Sequence, residues 1–273
     1  GDAQAQLRVF ARVEPNQGAV TGSADIYFPL TGKITPAGIP YSSDRSDHTA
    51  TLLSDGKVLL AGGYDGRYVK TAQLYDLANG TLTWTASPMN AARRNHTATL
   101  LDSGKVLLAG GYDGAHHNTA EIYDPYFDTF TATAATMTSA RSHHTATLLK
   151  TGKVLIAGGF TGDSSAEVYD PDNDKFDLVS AMTTGRRDHT ATLLPDGKVL
   201  IVGGTSAGAY LKTAEIYDPG AAKFTATAGA LSVARSGHTA TLLANGKVLI
   251  AGGFNGTYLN TAEILDPATR SFS

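Results

Sequence analysis

Five arginines each stand three residues before a histidine: Arg45 and His48, Arg93 and His96, Arg141 and His144, Arg186 and His189, Arg235 and His238. Guanidinium groups gathered on one face could grip carboxylates bidentately, as on an acidic peptide or sugar. Imidazoles at matching places could ring a metal ion. Repetition weakens both readings, because a feature carried by every copy of a unit is explained by the folding of that unit. The alternative for the arginines is pairing with a glutamate of a neighbouring strand, Glu121, Glu167, Glu215 or Glu263. For the histidines it is satisfaction of local backbone groups.

His116, His117 and His143 are not repeated, and with His144 they form the densest histidine cluster. Adjacent side chains on a strand point to opposite faces, which counts against a shared metal. Asp170, Asp172 and Asp174 alternate like the first ligands of a calcium loop. Lys175 stands where that loop needs glycine and Ala181 where it needs glutamate, so the segment reads as a solvated turn. No metal and no cofactor is expected.

These residues sit in a repeated frame. His-Thr-Ala-Thr-Leu-Leu begins at His48, His96, His144, His189 and His238, at spacings of 48, 48, 45 and 49 residues. A period of this length marks an array of like modules. In one unit, residues 96–143, His96 to Leu101 alternates as a strand, A. Asp102-Ser103-Gly104 is a hairpin turn, and Lys105 to Ala109 an apolar strand, B, that ends at Gly110-Gly111. Strand C runs from Thr119 to Tyr123, Asp124-Pro125 turns the chain, and strand D lies around Phe130. Such a sheet cannot bury both faces alone, and radial stacking of sheets solves the problem as a β-propeller. The double glycine fits close backbone approach at a crowded place. Trp84, Phe130, Phe176, Phe224 and Phe272 read as packing anchors in strand D.

The pattern of Gly-Gly after an apolar strand, a tyrosine in the next and an aromatic in the last resembles the kelch repeat. The copies are Gly62-Gly63, Tyr75, Trp84; Gly110-Gly111, Tyr123, Phe130; Gly158-Gly159, Tyr169, Phe176; Gly203-Gly204, Tyr217, Phe224; and Gly252-Gly253 with Leu265 and Phe272. The resemblance implies an all-β kelch-type propeller with the first strand of each unit innermost. Residues 1–273 are expected to form one domain, with 45–273 as five regular repeats and 1–44 as a divergent partial blade. Ala24 to Pro29 parallels Ala120 to Pro125, Lys33-Ile34-Thr35 would be strand D, and Arg8-Val9-Phe10-Ala11 can stand in for strand B. Six blades of mainly four antiparallel strands are expected, residues 1–6 being one source for the missing strand A. Five blades with N-terminal strands is the alternative.

Strand parity gathers the D-to-A linkers and the B–C loops on one rim, and the A–B and C–D turns on the other face. Loops that vary between copies are where function is normally placed. The rim candidates are Arg45, Tyr64, Asp65, Tyr68, Arg93, Tyr112, Asp113, Arg141, His143, Phe160, Arg186, Tyr210, Arg235, Phe254 and Tyr258. Aromatic faces beside polar groups suit a protein segment or a glycan. No catalytic constellation is assembled.

Apolar residues make up 42% of the chain, charged residues 17%, and the net charge is -3. That balance offers no electrostatic reason for nucleic acid or anionic membrane as partner, and no apolar run reaches the roughly 18–20 residues of a membrane helix. The chain has no cysteine, which excludes disulfides, thiolate metal sites and cysteine nucleophiles. Many Thr, Ala, Gly and Asn point to an extracellular or cell-surface bacterial protein. The leading expectation is a non-catalytic interaction module. Alternatives are an enzyme acting on an acidic sugar and a structural repeat domain whose incomplete blade exchanges a strand with a partner. A galactose-oxidase-like copper site, which the kelch resemblance raises, would need a cysteine crosslinked to tyrosine.

Overall fold

The computed structural model describes residues 25–28, 33–36, 45–160 and 163–273. β1 (Asp25–Phe28) and β2 (Lys33–Pro36) form an antiparallel hairpin with Tyr27 opposite Ile34. The hairpin falls on the segments read as strands C and D of the divergent copy. The stretches proposed for its other strands, residues 1–6 and 8–11, lie outside the described residues.

Five four-stranded antiparallel sheets follow. The first holds β3 (Thr49–Leu52), β4 (Lys57–Ala61), β5 (Ala72–Asp76) and β6 (Thr81–Trp84). The second holds β7 (Thr97–Leu100), β8 (Val106–Ala109), β9 (Ala120–Asp124) and β10 (Thr129–Ala132). The third has β11 (Thr145–Leu148), β12 (Val154–Ala157), β13 (Ala166–Asp170) and β14 (Lys175–Leu178). In the fourth, β15 (Thr190–Leu193) and β16 (Val199–Val202) are followed by a two-stranded ribbon, β17 (Thr205–Ser206) and β18 (Ala209–Tyr210). That sheet is completed by β19 (Ala214–Asp218) and β20 (Lys223–Ala226). The fifth comprises β21 (Thr239–Leu242), β22 (Val248–Ala251), β23 (Ala262–Asp266) and β24 (Ser271–Phe272). The A-B-C-D order expected for each repeat is the observed order. Among the described residues, no helix is long and apolar enough to cross a membrane.

The chain divides into two compact units, Gly1–Ala115 with Glu121–Ala132, and His116–Ala120 with Thr133–Ser273. In the second unit, β16 shows why the B strands are apolar throughout. Val199 and Ile201 pack with Leu155, Met182 and Phe224, while Leu200 and Val202 pack with Leu231, Val248 and Leu265. Successive residues face opposite ways, so a strand buried on both faces must be apolar at every position. Each such side chain contributes about 1.5–3 kcal/mol. In the first unit, Leu59 and Met89 share a core with Val106, Leu108, Tyr123 and Phe130.

The double glycines are required by the linker of the next repeat. A Cβ on Gly62 would lie 2.3 Å from the Arg93 carbonyl oxygen, and one on Gly158 would lie 2.3 Å from that of Arg186. In three of the pairs the second glycine donates its N–H to the next linker's arginine carbonyl: Gly63 to Arg93 at 2.9 Å, Gly159 to Arg186 at 2.9 Å and Gly204 to Arg235 at 2.8 Å.

One expected anchor is corrected. Tyr123, Tyr169 and Tyr217 stand opposite Phe130, Phe176 and Phe224, but Tyr75 stands opposite Leu82. Trp84 lies two residues further along β6, opposite Gln73, and is 52% exposed. The counterpart of these phenylalanines is therefore Leu82, which the aromatic count passed over.

Candidate functional site

The repeated arginines take the internal glutamate pairing that the sequence offered, and not the rim position. Arg93, Arg141, Arg186 and Arg235 are fully buried and Arg45 nearly so. Each of the four reaches the glutamate of strand C in its own sheet: Arg93 to Glu121 at 2.6 Å, Arg141 to Glu167 at 2.7 Å, Arg186 to Glu215 at 2.9 Å and Arg235 to Glu263 at 2.8 Å. The glutamates also accept linker N–H groups, as Glu215 does from Thr183 at 2.8 Å and Glu263 from Ser232 at 2.7 Å. Arg45 meets the neutral Gln73 at 3.4 Å and donates to the Gly62 carbonyl. A guanidinium with no solvent-facing surface cannot receive a ligand, so Arg45, Arg93, Arg141, Arg186 and Arg235 leave the rim and become internal braces.

The repeated histidines brace neighbouring repeats. His96 Nε2 lies 3.0 Å from Thr49 Oγ1, His189 Nε2 2.9 Å from Thr145 Oγ1, and His238 Nε2 2.9 Å from Thr190 Oγ1. Each partner is the threonine heading strand A of the preceding repeat, and His189 and His238 also meet the backbone of Arg186 and Arg235 in their own linkers. Burial, with Arg186 beside it, pushes His189 down to about 3, and burial with Arg235 pushes His238 down to about 4. They are neutral scaffold imidazoles.

The linkers and B–C loops do converge, through short backbone ladders. In the first unit, Ser46 and Tyr64 exchange N–H···O bonds of 2.9 and 2.8 Å, and Arg94 and Tyr112 exchange bonds of 3.1 and 3.0 Å. These ladders set Tyr64, Tyr68 and Tyr112 around one guanidinium. Arg94 Cζ lies 5.0, 5.5 and 5.5 Å from the three ring centroids. Tyr68 contacts Tyr64 at 5.4 Å and Tyr112 at 5.6 Å between centroids. Asp47 stands 3.7 Å from Arg94 across a partly open edge. Asp65 caps its own loop through the Arg67 N–H at 3.1 Å, and Asp113 caps the matching one at Ala115.

In the second unit, His116 stacks on Phe160 at 4.2 Å with 22° between planes, and Arg187 Cζ lies 5.1 Å from the Phe160 centroid. Arg187 Nε donates to Thr205 Oγ1 at 3.2 Å. His143 meets Asp188 at 2.8 Å, while His116 meets Ser142 at 3.0 Å. Burial, with His143 and His117 nearby, lowers the His116 imidazole below its usual value. Further along, Phe254 lies between Tyr210 at 5.8 Å and Tyr258 at 5.3 Å. Among the described residues, no group of three or more His, Cys, Asp or Glu is placed to hold a metal ion. The alternating aspartates from Asp170 serve their turn: Asp170 accepts from the Asp172 N–H and from Asn173, and pairs with Lys153 at 2.9 Å.

Arg94 and Arg187 were not among the sequence candidates. Their signal is the arginine doublet: the residue after the brace is Ser46, Arg94, Ser142, Arg187 and Ser236 in turn. The next position is left-handed in every linker, with φ of 57° at Asp47, 51° at Asn95, 54° at His143, 52° at Asp188 and 59° at Gly237. Three conserved-geometry positions per linker thus comprise a buried brace, a rim side chain and a turn tip.

The family model of the Attractin/LZTR1 beta-propeller matches residues 39–262. The chain belongs to this kelch-type propeller family. Its sheets carry the family's fold in the four-stranded form described above. Among solved structures, the Attractin/LZTR1-type chain is similar to a fungal alcohol oxidase of the AA5 family, in complex with copper, with a TM-score of 0.78 and 23% identity. The match covers 92% of this chain and 57% of the oxidase, so the chain spans little more than half of that protein's length. At that identity the likeness is one of fold. No curated protein matches the chain.

Proposed function

We propose that this propeller is a non-catalytic interaction module that takes a protein segment on its linker-and-loop face. The observation carrying the proposal is the setting of Tyr64, Tyr68 and Tyr112 around the partly exposed Arg94. Tyrosine and arginine dominate binding hot spots because they combine large rigid contact area with directed donors. Arg94 has one long contact to Asp47, leaving donors for a carboxylate or backbone carbonyl of the incoming segment. Membership of a propeller family that supports interaction modules adds to this reading. An extracellular or cell-surface setting, read from composition, suits it.

The test is enrichment of a displayed random-peptide library on the wild-type protein, followed by affinity measurement on a variant carrying Tyr64→Ala, Arg94→Ala and Tyr112→Ala. Binding should fall at least tenfold while circular dichroism stays unchanged. Failure to enrich any peptide, or equal affinity in the folded variant, would overturn the proposal.

A glycan on this face is the other ligand class, and oligosaccharide binding lost in the same variant would favour it. The acidic-sugar enzyme loses its motivation, since the arginines that would have held the substrate are buried braces. Strand exchange at a partial blade concerns residues 1–44, most of which lie outside the described part.

A further inference from the structure

The first unit has a cleft at the end of its strands opposite the B–C loops. It has a volume of about 490 Å³ and is lined by Ser54, Ser103, Lys105, Asp124, Tyr126 and Phe127 among others. Tyr126 is 87% exposed and Phe127 67% exposed, with ring centroids 4.8 Å apart and planes at 89°.

The fold does not need these rings. The same C–D turn occurs in all five sheets, closed by an aspartate that accepts from the N–H two residues on. The distances are 2.8 Å at Ala78, 3.0 Å at Tyr126, 3.1 Å at Asp172, 2.9 Å at Gly220 and 3.0 Å at Ala268. Small or polar residues suffice at the other four. At the position of Phe127, Asn79 and Asn173 each donate from the side chain back to that aspartate, at 3.0 Å in both. Phe127 gives up this bond and exposes a ring instead. Two large apolar side chains held in water beside a cleft, at the one turn of five that carries them, are costly unless something covers them.

The charges say what kind of ligand fits. Lys105 pairs with Asp124 at 2.9 Å and Asp55 with Lys57 at 3.2 Å, so the cleft is ionically balanced. It offers an ion no net attraction, but it is rich in hydroxyl, carboxylate and ammonium partners for vicinal hydroxyls. A sugar has the complementary shape: an apolar C–H face for an aromatic ring and an equatorial belt of hydroxyls. We propose that this cleft binds a neutral oligosaccharide, stacked on Tyr126 and Phe127 and hydrogen-bonded by Ser54, Ser103, Lys105 and Asp124. It is independent of the rim site.

The test is calorimetric titration of the whole chain with cellohexaose, maltohexaose, mannohexaose and chitohexaose. At least one should bind, and the double variant Tyr126→Asp with Phe127→Asn should lose at least tenfold in affinity. That variant carries the residues found at Asp172 and Asn173, so the turn keeps a sequence already proven in this chain. The rim variant Tyr64→Ala, Arg94→Ala and Tyr112→Ala should bind the sugar unchanged. The proposal is overturned if none of the four sugars binds at millimolar concentration, or if the turn variant binds as well as wild type. It is overturned likewise if a proline-rich peptide, and no sugar, titrates to this cleft.

Discussion

Tyr123 donates its phenol hydrogen to Asp128 at 2.8 Å, five residues further along the same hairpin. The second oxygen of Asp128 accepts the Ala86 N–H of the preceding linker at 2.8 Å. One left-handed aspartate, at φ 53°, therefore satisfies the hydroxyl of a buried tyrosine and ties two repeats together. Tyr169 and Asp174 repeat the arrangement at 2.9 Å, with the Ala134 N–H at 2.7 Å. In the fourth sheet the position is Ala222, at φ 48°.

Replacing Asp128 or Asp174 with alanine should cost about 1–3 kcal/mol, because a part-buried hydroxyl and a backbone N–H both lose their partner. Ala222→Asp should stabilise by up to about 1 kcal/mol, since aspartate tolerates the left-handed region better and offers Tyr217 the missing acceptor. Urea denaturation of the three variants checks both signs.

Glu215→Ala leaves Arg186 with its charge buried and uncompensated, and should cost about 3–5 kcal/mol. Glu215→Gln should cost less, because Gln73 shows that a neutral amide can face a buried arginine of this kind. Equal losses for the two variants would argue against a charge-based brace.

Acid should weaken the fold early. His189 and His238 are held near 3 and near 4 in the native state, against about 6.5 when unfolded. Below pH 6.5 the unfolded chain binds protons that the native chain refuses, so stability is full above that pH and is lost as pH falls towards 4. Each histidine contributes a slope of up to about 1.4 kcal/mol per pH unit in that window. Asp170, held down to about 2 chiefly by Lys153, adds its loss only below about pH 4. Denaturation midpoints between pH 8 and 4 should show the histidine slope, and His189→Gln should flatten it.

Gly63→Ala should be far more damaging than Gly66→Ala. Both glycines have positive φ, but a Cβ on Gly63 meets the Ser46 carbonyl at 2.6 Å, whereas one on Gly66 meets nothing within 4 Å. The strain at Gly66 alone is about 1 kcal/mol, and Gly63 adds a backbone clash. Thermal melts of the two variants measure the difference.

Arg94→Ala should leave stability within about 1 kcal/mol of wild type, as expected for a part-exposed cation over aromatic rings. Arg93→Ala, one residue earlier, should destabilise by several times that amount, because it strands the buried Glu121. Parallel denaturation curves of these neighbours test whether rim and brace are separable.

The four-strand unit was legible because its signals are local. Alternation, an apolar run, paired glycines and Asp-Pro turns all act within a few residues of one another. Trp84 was misjudged because counting aromatics does not give register, and only pairing places Leu82 opposite Tyr75. Variation between copies singled out Tyr64, Tyr68 and Tyr112, which the structure sets around Arg94. Arg94 and Arg187 were missed because each follows another arginine, and neither residue type nor spacing says which of the two faces the solvent.

By itself the sequence determined that this chain is a tandem array of like β-sheets of kelch type, with many of the differences between its regular copies in linkers and loops. It could not decide which polar residues those sheets consume. Burial and direction depend on neighbours distant in the chain: Glu121 takes up Arg93 from 28 residues away, and Thr49 takes up His96 from 47 residues away. Only the tertiary structure turned the repeated Arg and His from candidate ligand groups into braces. The same long-range packing set Arg94, partly exposed, among Tyr64, Tyr68 and Tyr112, and left Tyr126 with Phe127 facing water.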